Sequence, residues 1–228
     1  MVVAPHPDDE VLGCGGVIAN HRVAGRAVHL VYLTSGERGS PHHGPEELGR
    51  LREEEAVAAA GVLDVPKSEL TFLRLPDGGI DPADREQVGQ TVRLLRDVRP
   101  GLVYLPHPAD GSFDHRAAFA LCWRAARMAG SRNYPEWGTG PHWVPTILGY
   151  EVWSPIADPQ YTEDITGVLD RKLQALSRYS SQTSATKGAG VADIVGASAA
   201  HLSGFRGATA TGGHREAFQV LRLGRVIV

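Results

Sequence analysis

The sequence predicts an α/β protein, a Rossmann-like three-layer sandwich built on a mostly parallel sheet. Short apolar runs alternate with longer amphipathic segments through the first 130 or so residues, which is the order of a βαβα chain. The runs are apolar at nearly every position, as strands covered by helices on both faces are. Polar residues follow two of these runs directly, where the carboxyl ends of parallel strands meet.

Five apolar runs predict the strands, because each is too short for a helix and is bounded by Gly, Pro or charged residues. In chain order they are Val2–Ala4, Val28–Leu33, Leu70–Leu75, Leu102–Leu105 and Ile147–Val152.

The segments between and after these runs predict helices, because their apolar residues recur at helical spacing and Pro or Gly punctuates them. In chain order they are Gly16–Ala24, Pro45–Ala60, Pro82–Val98, Ala117–Met128 and Val168–Tyr179. A further stretch, 188–213, is rich in Gly, Ala, Ser and Thr and predicts a helix plus a loop without defined bounds. The glycines at 13, 15 and 16 do not have the spacing of a dinucleotide-binding loop.

Size and charge limit the classes of protein. A chain of 228 residues with 42% apolar content predicts a single domain over 1–228, with a Rossmann-like core at about 1–130 and a substrate-bordering part at about 131–228. A net charge of −3 argues against a nucleic-acid or membrane partner. Because Met1 leads straight into the first strand and the apolar runs are short, we expect no signal peptide or membrane span and a cytoplasmic location. Cys14 and Cys122 fit buried, reduced thiols better than a disulfide.

The most informative segment is His6-Pro7-Asp8-Asp9-Glu10, at the end of the first predicted strand. Histidine and aspartate are ligands suited to zinc, and an additional carboxylate beside them can move protons. An acidic N-cap explains one Asp before a helix but not the whole run. The segment therefore favours a metal site.

A second polar segment follows the strand at Leu102–Leu105 and includes Asp114 and His115. Parallel strands place both junctions at the same edge of the sheet. Three protein ligands with one open position are typical of a catalytic zinc rather than a structural one. The pair His42-His43 lies in a polar loop and is expected to be solvated.

Taken together, these motifs resemble those of the LmbE/PIG-L-type zinc-dependent de-N-acetylases (N-acetylglucosaminyl deacetylases). Further segments along nearly the whole chain are similar to that family's motifs. They are Thr34-Ser35-Gly36-Glu37, Arg52-Glu53-Glu54-Glu55-Ala56, Leu75-Pro76-Asp77-Gly78, Asp164-Ile165-Thr166, Lys172 with Tyr179-Ser180-Ser181-Gln182, and Glu216-Ala217-Phe218.

The resemblance implies a metal-dependent hydrolase that removes acetate from an N-acetylated amino sugar or glycoconjugate. His6, Asp9 and His115 would bind one zinc per chain, with water at the open position, although the same ligands also accept iron, cobalt or manganese. Asp8 would be the general base, and Glu10 is expected to be structural. An amidase acting on another amide, such as a thiol-sugar conjugate, is the alternative.

One position departs from the family's pattern. Many relatives have a histidine three residues before the last ligand, in a His-Pro-Asp-His arrangement, where it is thought to stabilise the oxyanion; this chain has Ser112. A hydroxyl donates a hydrogen bond but carries no positive charge. Ser112, His107 and the late His214 are the candidates for that role, and Asp114 is a candidate for orienting a ligand.

The family motifs also suggest how substrate is held. Arg52 and Asp77 are candidates for binding sugar hydroxyls or a substrate anion, and an ion pair with Glu55 is an equal alternative for Arg52. Trp137 and Trp143 are candidates for an aromatic wall, and simple packing of these side chains is an equal alternative. The segment 187–213 is expected to border the pocket. The predicted partner is a small-molecule N-acetylated sugar whose aglycone the sequence does not specify, and a homo-oligomer stays open.

Overall fold

The computed structural model describes residues 1–185 and 194–224, and these form one mixed sheet covered by helices on both faces. The strands are β1 (Val2–Ala4), β2 (Leu30–Tyr32), β3 (Leu70–Phe72), β4 (Leu102–Pro106), β5 (Thr146–Tyr150), β6 (Tyr161–Asp164) and β7 (Arg215–Arg222). Their order across the sheet is β3-β2-β1-β4-β5-β7-β6. All neighbours from β3 to β5 pair in parallel, and β7 runs antiparallel to both β5 and β6. The predicted α/β class with a mostly parallel sheet is confirmed.

Helices form the two outer layers. They are α1 (Asp9–Val23), α2 (Pro45–Val62), α3 (Arg85–Val98), α4 (Phe113–Ala129), α5 (Leu169–Leu176), α6 (Ser180–Ala185) and α7 (Ile194–Ala208), with 3-10 turns at Lys67–Glu69, Pro135–Trp137 and Thr166–Val168. One hydrophobic cluster packs α1, α2, α5 and α7 against the sheet. The other packs α3 and α4 against the opposite face. Alternate residues of each buried strand feed the two clusters, as period-two geometry requires.

The first helix begins earlier than the sequence predicted. It starts at Asp9 rather than Gly16, so the glycine-rich stretch lies inside it. These glycines let α1 pack unusually close to its neighbours. A Cβ at Gly13 would lie 2.2 Å from the Tyr150 ring, and one at Gly16 would lie 2.3 Å from the side chain of Ile165. The low helix propensity of glycine is thus offset by close packing.

A buried ion pair joins this glycine-rich part of α1 to α5 and β7. Lys172 Nζ lies 2.7 Å from Glu216 Oε1 and donates to the Leu12 carbonyl oxygen at 2.8 Å. The Glu216 carboxylate accepts hydrogen bonds from the backbone amides of Gly16 and Val17, each at 2.8 Å. Two motifs far apart in sequence therefore fix the helix that carries the acidic segment.

The strands β6 and β7 were not predicted. β6 is an edge strand with only one neighbour and a largely polar sequence, so it has no apolar run to identify it. β7 alternates only weakly and follows the glycine-rich stretch at Gly212-Gly213. Both strands belong to the sheet of the first half, so residues beyond 130 supply part of the same core.

Two further expectations concern the thiols and the membrane. Cys14 and Cys122 are both buried and unpaired. Within the described residues, every helix is too short or too polar to cross a bilayer.

Candidate metal centre

The fold brings the two polar segments together at one edge of the sheet. β1 and β4 are neighbouring parallel strands, so the segments that follow them, 5–8 and 107–112, lie side by side beyond their carboxyl ends. The chain leaves β1 toward β2 on one side, and β4 lies on the other side. This is the switch point where ligands collect in open α/β sheets.

The predicted metal ligands His6, Asp9 and His115 converge at this point. One nitrogen or oxygen from each lies within 4.8 Å of the others. Asp9 Oδ2 is 3.2 Å from His6 Nδ1 and 3.1 Å from His115 Nε2. Asp9 and His115 are buried, and His6 is partly open to solvent.

The chemistry of these atoms fits a metal ion. Asp9 Oδ1 and His115 Nε2 are buried without a hydrogen-bond partner, a costly state unless something else binds them. Two imidazole nitrogens and one carboxylate oxygen form the donor set of a catalytic zinc with an open position. A second group of donor atoms, from His6, Asp77 and Asp114, lies beside the first and shares its histidine.

The side chains of this site stabilise one another's charged forms. Burial opposes charge on Asp9, but His115 and His6 beside it keep the pKa of Asp9 well below its usual range. Burial likewise opposes charge on His115, yet Asp9 and Asp110 raise its pKa to about 9. The pKa of His6 is also raised, against burial, by Asp114, Asp77 and Asp9.

Asp8 has an unusual backbone conformation at the start of α1. Its φ of 121° lies in the region that disfavours residues with a side chain, and its carboxylate makes no capping bond to the helix. Asp8 therefore occupies the N-cap position of α1 without capping the helix through its side chain. Strained backbone of this kind concentrates at functional sites. Burial raises the pKa of Asp8 to about 7, and the Arg52 guanidinium is the main influence in the other direction.

Arg52 holds the Asp8 loop from α2. Its Nη2 lies 3.1 Å from Asp8 Oδ2 and also donates to the Pro7 carbonyl oxygen. Its Nη1 donates to the Gly36 carbonyl oxygen at 3.1 Å. Gly36 has a φ of 62°, and a Cβ there would lie 2.2 Å from the guanidinium. Arg52 thus contacts the acidic segment, and Glu55, its alternative partner, instead accepts bonds from Ser180 and Ser181.

Glu10 supports the same segment from inside the protein. It is fully buried, accepts a short hydrogen bond from the Tyr179 hydroxyl, and accepts the Asp8 backbone N–H at 3.1 Å. Its position agrees with the structural role expected of it. Burial raises the pKa of Glu10 to about 7.

Three further carboxylates surround the histidines. Asp114 Oδ2 and Asp77 Oδ1 lie 3.2 Å and 3.3 Å from His6 Nε2, and Asp114 also accepts the Gly78 amide at 2.8 Å. Asp110 Oδ1 lies 3.4 Å from His115 Nδ1. Sequence reasoning missed Asp110. The sequence feature that could have identified Asp110 is an acidic residue five positions before His115, on the same strand-to-helix connection.

The candidates for the missing oxyanion histidine lie apart from the three ligands or are already bonded. His107 Nε2 hydrogen-bonds to the Ser154 carbonyl oxygen at 2.8 Å, and His214 Nδ1 lies 3.0 Å from the Ser203 hydroxyl. Ser112 is the N-cap residue of α4, and its amide donates to Asp110. Among the described contacts, none joins these three side chains to the metal ligands.

For Trp137 and Trp143 the structure favours the packing alternative over an aromatic wall. Their loop leaves the end of α4 and returns to the start of β5, both at the amino edge of the parallel strands, opposite the metal ligands. Trp137 is buried over Gly89 in α3, and Trp143 lies over Arg222 at the end of β7. The other segment expected to border the pocket, 187–213, lies partly outside the described residues, which resume at 194 with α7.

Comparisons with known proteins agree with this geometry. The family model of PIG-L, GlcNAc-PI de-N-acetylase, matches residues 1–126. A diacetylchitobiose deacetylase from Thermococcus kodakarensis is 32% identical over 191 residues, covering 80% of this chain and 69% of the relative. The crystal structure of a conserved protein from Thermus thermophilus superposes with a TM-score of 0.84 at 31% identity, covering 100% of this chain and 96% of the other. A 4-carboxy-2-hydroxymuconate hydratase from Pseudomonas putida reaches a TM-score of 0.83 at 25% identity, covering 100% and 97%.

Proposed function

Because this chain belongs to the GlcNAc-PI de-N-acetylase (PIG-L) family, we propose that it is a metal-dependent hydrolase that removes acetyl groups from an N-acetylated amino sugar or glycoconjugate. The observation that carries the proposal is the convergence of His6, Asp9 and His115 at the segment where Asp8 has a strained backbone. This arrangement provides an open metal position and a base next to it.

We propose zinc as the metal, one ion per chain, bound by His6, Asp9 and His115. When bound, it supplies a Lewis acid that lowers the pKa of water and polarises the amide carbonyl. Asp114 supports it by accepting a hydrogen bond from His6 Nε2, and Asp110 Oδ1 lies 3.4 Å from His115 Nδ1, the ring nitrogen that faces away from Asp9. These partners fix which nitrogen of each ring is free to bind.

Asp8 is the proposed general base. Its carboxylate takes a proton from the attacking water and returns it to the nitrogen of the leaving amine as the C–N bond breaks. Burial raises the pKa of Asp8 and the Arg52 guanidinium opposes that shift, which favours a carboxylate that can accept a proton and donate it again. Arg52 is a positioning residue here, since it contacts Asp8 and the loop carbonyls that surround it.

Substrate contacts are proposed at Asp77 and Ser112. Asp77 Oδ1 lies 3.3 Å from His6 Nε2, and Asp77 Oδ2 accepts the backbone N–H of Arg38 at 2.8 Å. Ser112 remains the candidate for a hydrogen bond to the oxyanion. The cytoplasmic location and a homo-oligomer also stay predictions.

Acetate release tests the proposal. Purified protein reconstituted with zinc should release acetate from N-acetylglucosamine, N,N'-diacetylchitobiose or N-acetylglucosaminyl malate, and elemental analysis should find about one zinc per chain. His115→Ala should lose most of the metal. Release of a larger acid would favour the amidase alternative. Because one similar structure is a hydratase, an unsaturated hydroxy diacid belongs in the same assay; hydration of it without acetate release from any sugar would overturn the proposal.

A further inference from the structure

Two large aromatic side chains are open to solvent beside the candidate metal centre. Phe113 is 68% exposed and Trp153 is 61% exposed. Phe113 is the first residue of α4, and Trp153 follows β5 at the carboxyl edge of the sheet. Exposed apolar rings next to a polar site commonly mark a binding surface.

The backbone of each residue is linked to a metal ligand. Phe113 immediately precedes Asp114 and His115 in the first turn of α4. The backbone N–H of Trp153 donates to Asp110 Oδ2 at 3.1 Å, and the other oxygen of that carboxylate lies 3.4 Å from His115 Nδ1. The Asp110 carboxylate therefore connects Trp153 to a metal ligand, and the chain itself connects Phe113 to the same ligand.

The packing of the protein does not account for these rings. Neither contributes to the two hydrophobic clusters that stabilise the fold. Full burial of such a side chain is worth about 1.5–3 kcal/mol, and leaving it open forgoes that gain.

Arg116, the cation beside Phe113, is bonded within its own loop. Arg116 donates from Nη1 to the carbonyl oxygens of Asp110 and Gly111, each at 2.8 Å, and its guanidinium lies 6.0 Å from the Phe113 ring. Its donors are thus partly used in the loop. An uncharged ring matches such a surface better than a carboxylate, because ring faces stack on aromatic side chains without an ionic partner.

We propose that Phe113 and Trp153 form an aromatic platform that binds an uncharged ring attached to the N-acetylated sugar, either a second sugar ring or an aryl aglycone. The inference rests on the proposed function and adds a substrate class to it. The platform binds the part of the substrate that does not react, so it contributes to KM more than to kcat.

Kinetics on paired substrates test the platform. Free N-acetylglucosamine lacks the extra ring, whereas N,N'-diacetylchitobiose and 4-nitrophenyl N-acetyl-glucosaminide carry one. For Phe113→Ala and Trp153→Ala, KM for the ring-bearing substrates should rise about tenfold, which corresponds to about 1.4 kcal/mol, with kcat and the KM for free N-acetylglucosamine unchanged. Trp153→Phe should recover most of the loss.

Trp143→Ala is the matched control. Trp143 is similarly exposed, at 58%, but lies at the opposite edge of the sheet, so its removal should leave every KM unchanged. Equal effects on free and ring-bearing substrates, or no effect on either, would overturn the platform while leaving the deacetylase intact.

Calorimetric titration of the zinc-loaded protein with 4-nitrophenyl N-acetyl-glucosaminide separates the two claims. If the wild type releases no acetate from any sugar, the proposed function fails. The platform is then judged by binding alone: weaker binding by Trp153→Ala but not by Trp143→Ala supports it, and equal binding by all three proteins contradicts it.

Discussion

At the scale of single residues, the carboxylate of Asp110 determines how His115 presents itself. Its Oδ1 lies 3.4 Å from His115 Nδ1 and accepts the Ser112 amide, and its Oδ2 accepts the Trp153 amide, so Asp110 connects the loop after β4 to the loop after β5. Such a partner fixes the tautomer of a metal-binding histidine and raises its basicity. Asp110 is therefore central to a site in which it is not itself a ligand.

We expect Asp110→Asn to weaken zinc binding by about 10–100-fold, since the amide replaces the charged acceptor beside His115. Competition with a chromogenic chelator measures the dissociation constant. Asp97→Asn removes an exposed carboxylate from α3 and is the control. Unchanged zinc affinity in Asp110→Asn would mean that His115 needs no such partner.

The raised histidine pKa values predict how metal binding depends on pH. In the metal-free protein His115 keeps its proton up to a pH of about 9, and the pKa of His6 is raised as well. Zinc binds the neutral ring, so a bound ion must displace these protons. Its affinity should therefore rise with pH, by about tenfold per pH unit for each proton released, over the range below about pH 9 in which His115 is protonated.

Calorimetry in two buffers of different ionisation enthalpy counts those protons directly. At neutral pH we expect one to two protons released per zinc bound. An affinity that does not change between pH 6 and pH 8, or binding without proton release, would contradict the charge assignment at His6 and His115.

At the scale of elements, helix α1 connects the glycine-rich motif to the acidic segment. The missing side chains at Gly13, Gly15 and Gly16 bring α1 against β5, α5 and Ile165, and the Lys172–Glu216 pair bonds to its backbone. The helix that positions Asp8 and Asp9 is thereby fixed on several sides. Close approach, rather than turn formation, is the reason for these glycines.

Gly16→Ala should destabilise the protein by about 1–3 kcal/mol, because the new methyl group overlaps Ile165. Gly61→Ala is the matched control. Gly61 lies in α2 with nothing within 4 Å of an added Cβ, so alanine should stabilise the helix there by up to about 1 kcal/mol. Urea denaturation followed by circular dichroism measures both. Equal stability changes in the two variants would show that close packing of α1 is not required.

At the scale of the whole molecule, the two edges of the sheet differ in what they do. The carboxyl edge holds the candidate ligands, the base and the aromatic platform. The amino edge holds the Trp137 and Trp143 loop. The sequence predicted the class of fold, the strands from β1 to β5 and the junctions that meet at the carboxyl edge, because apolar runs and His/Asp segments are local signals.

Other features depended on contacts between distant segments. The edge strand β6 has little apolar character. The role of Asp110 is visible only from its distance to His115. The position of Trp143 depends on which edge of the sheet its loop reaches. Arg52 likewise lies in a motif, but its contact with Asp8 joins residues 44 positions apart. Composition and spacing alone do not reveal such relations.

The central claim is that Asp8 acts as the base beside a zinc held by His6, Asp9 and His115, and one paired measurement tests it most directly. Zinc content and acetate release from N,N'-diacetylchitobiose are measured on the wild type and on Asp8→Asn. We expect both proteins to hold about one zinc per chain, with turnover lower in Asp8→Asn by about 10²–10⁴-fold, because proton transfer is lost while the ligands remain. Full turnover in Asp8→Asn with zinc still bound would contradict the account.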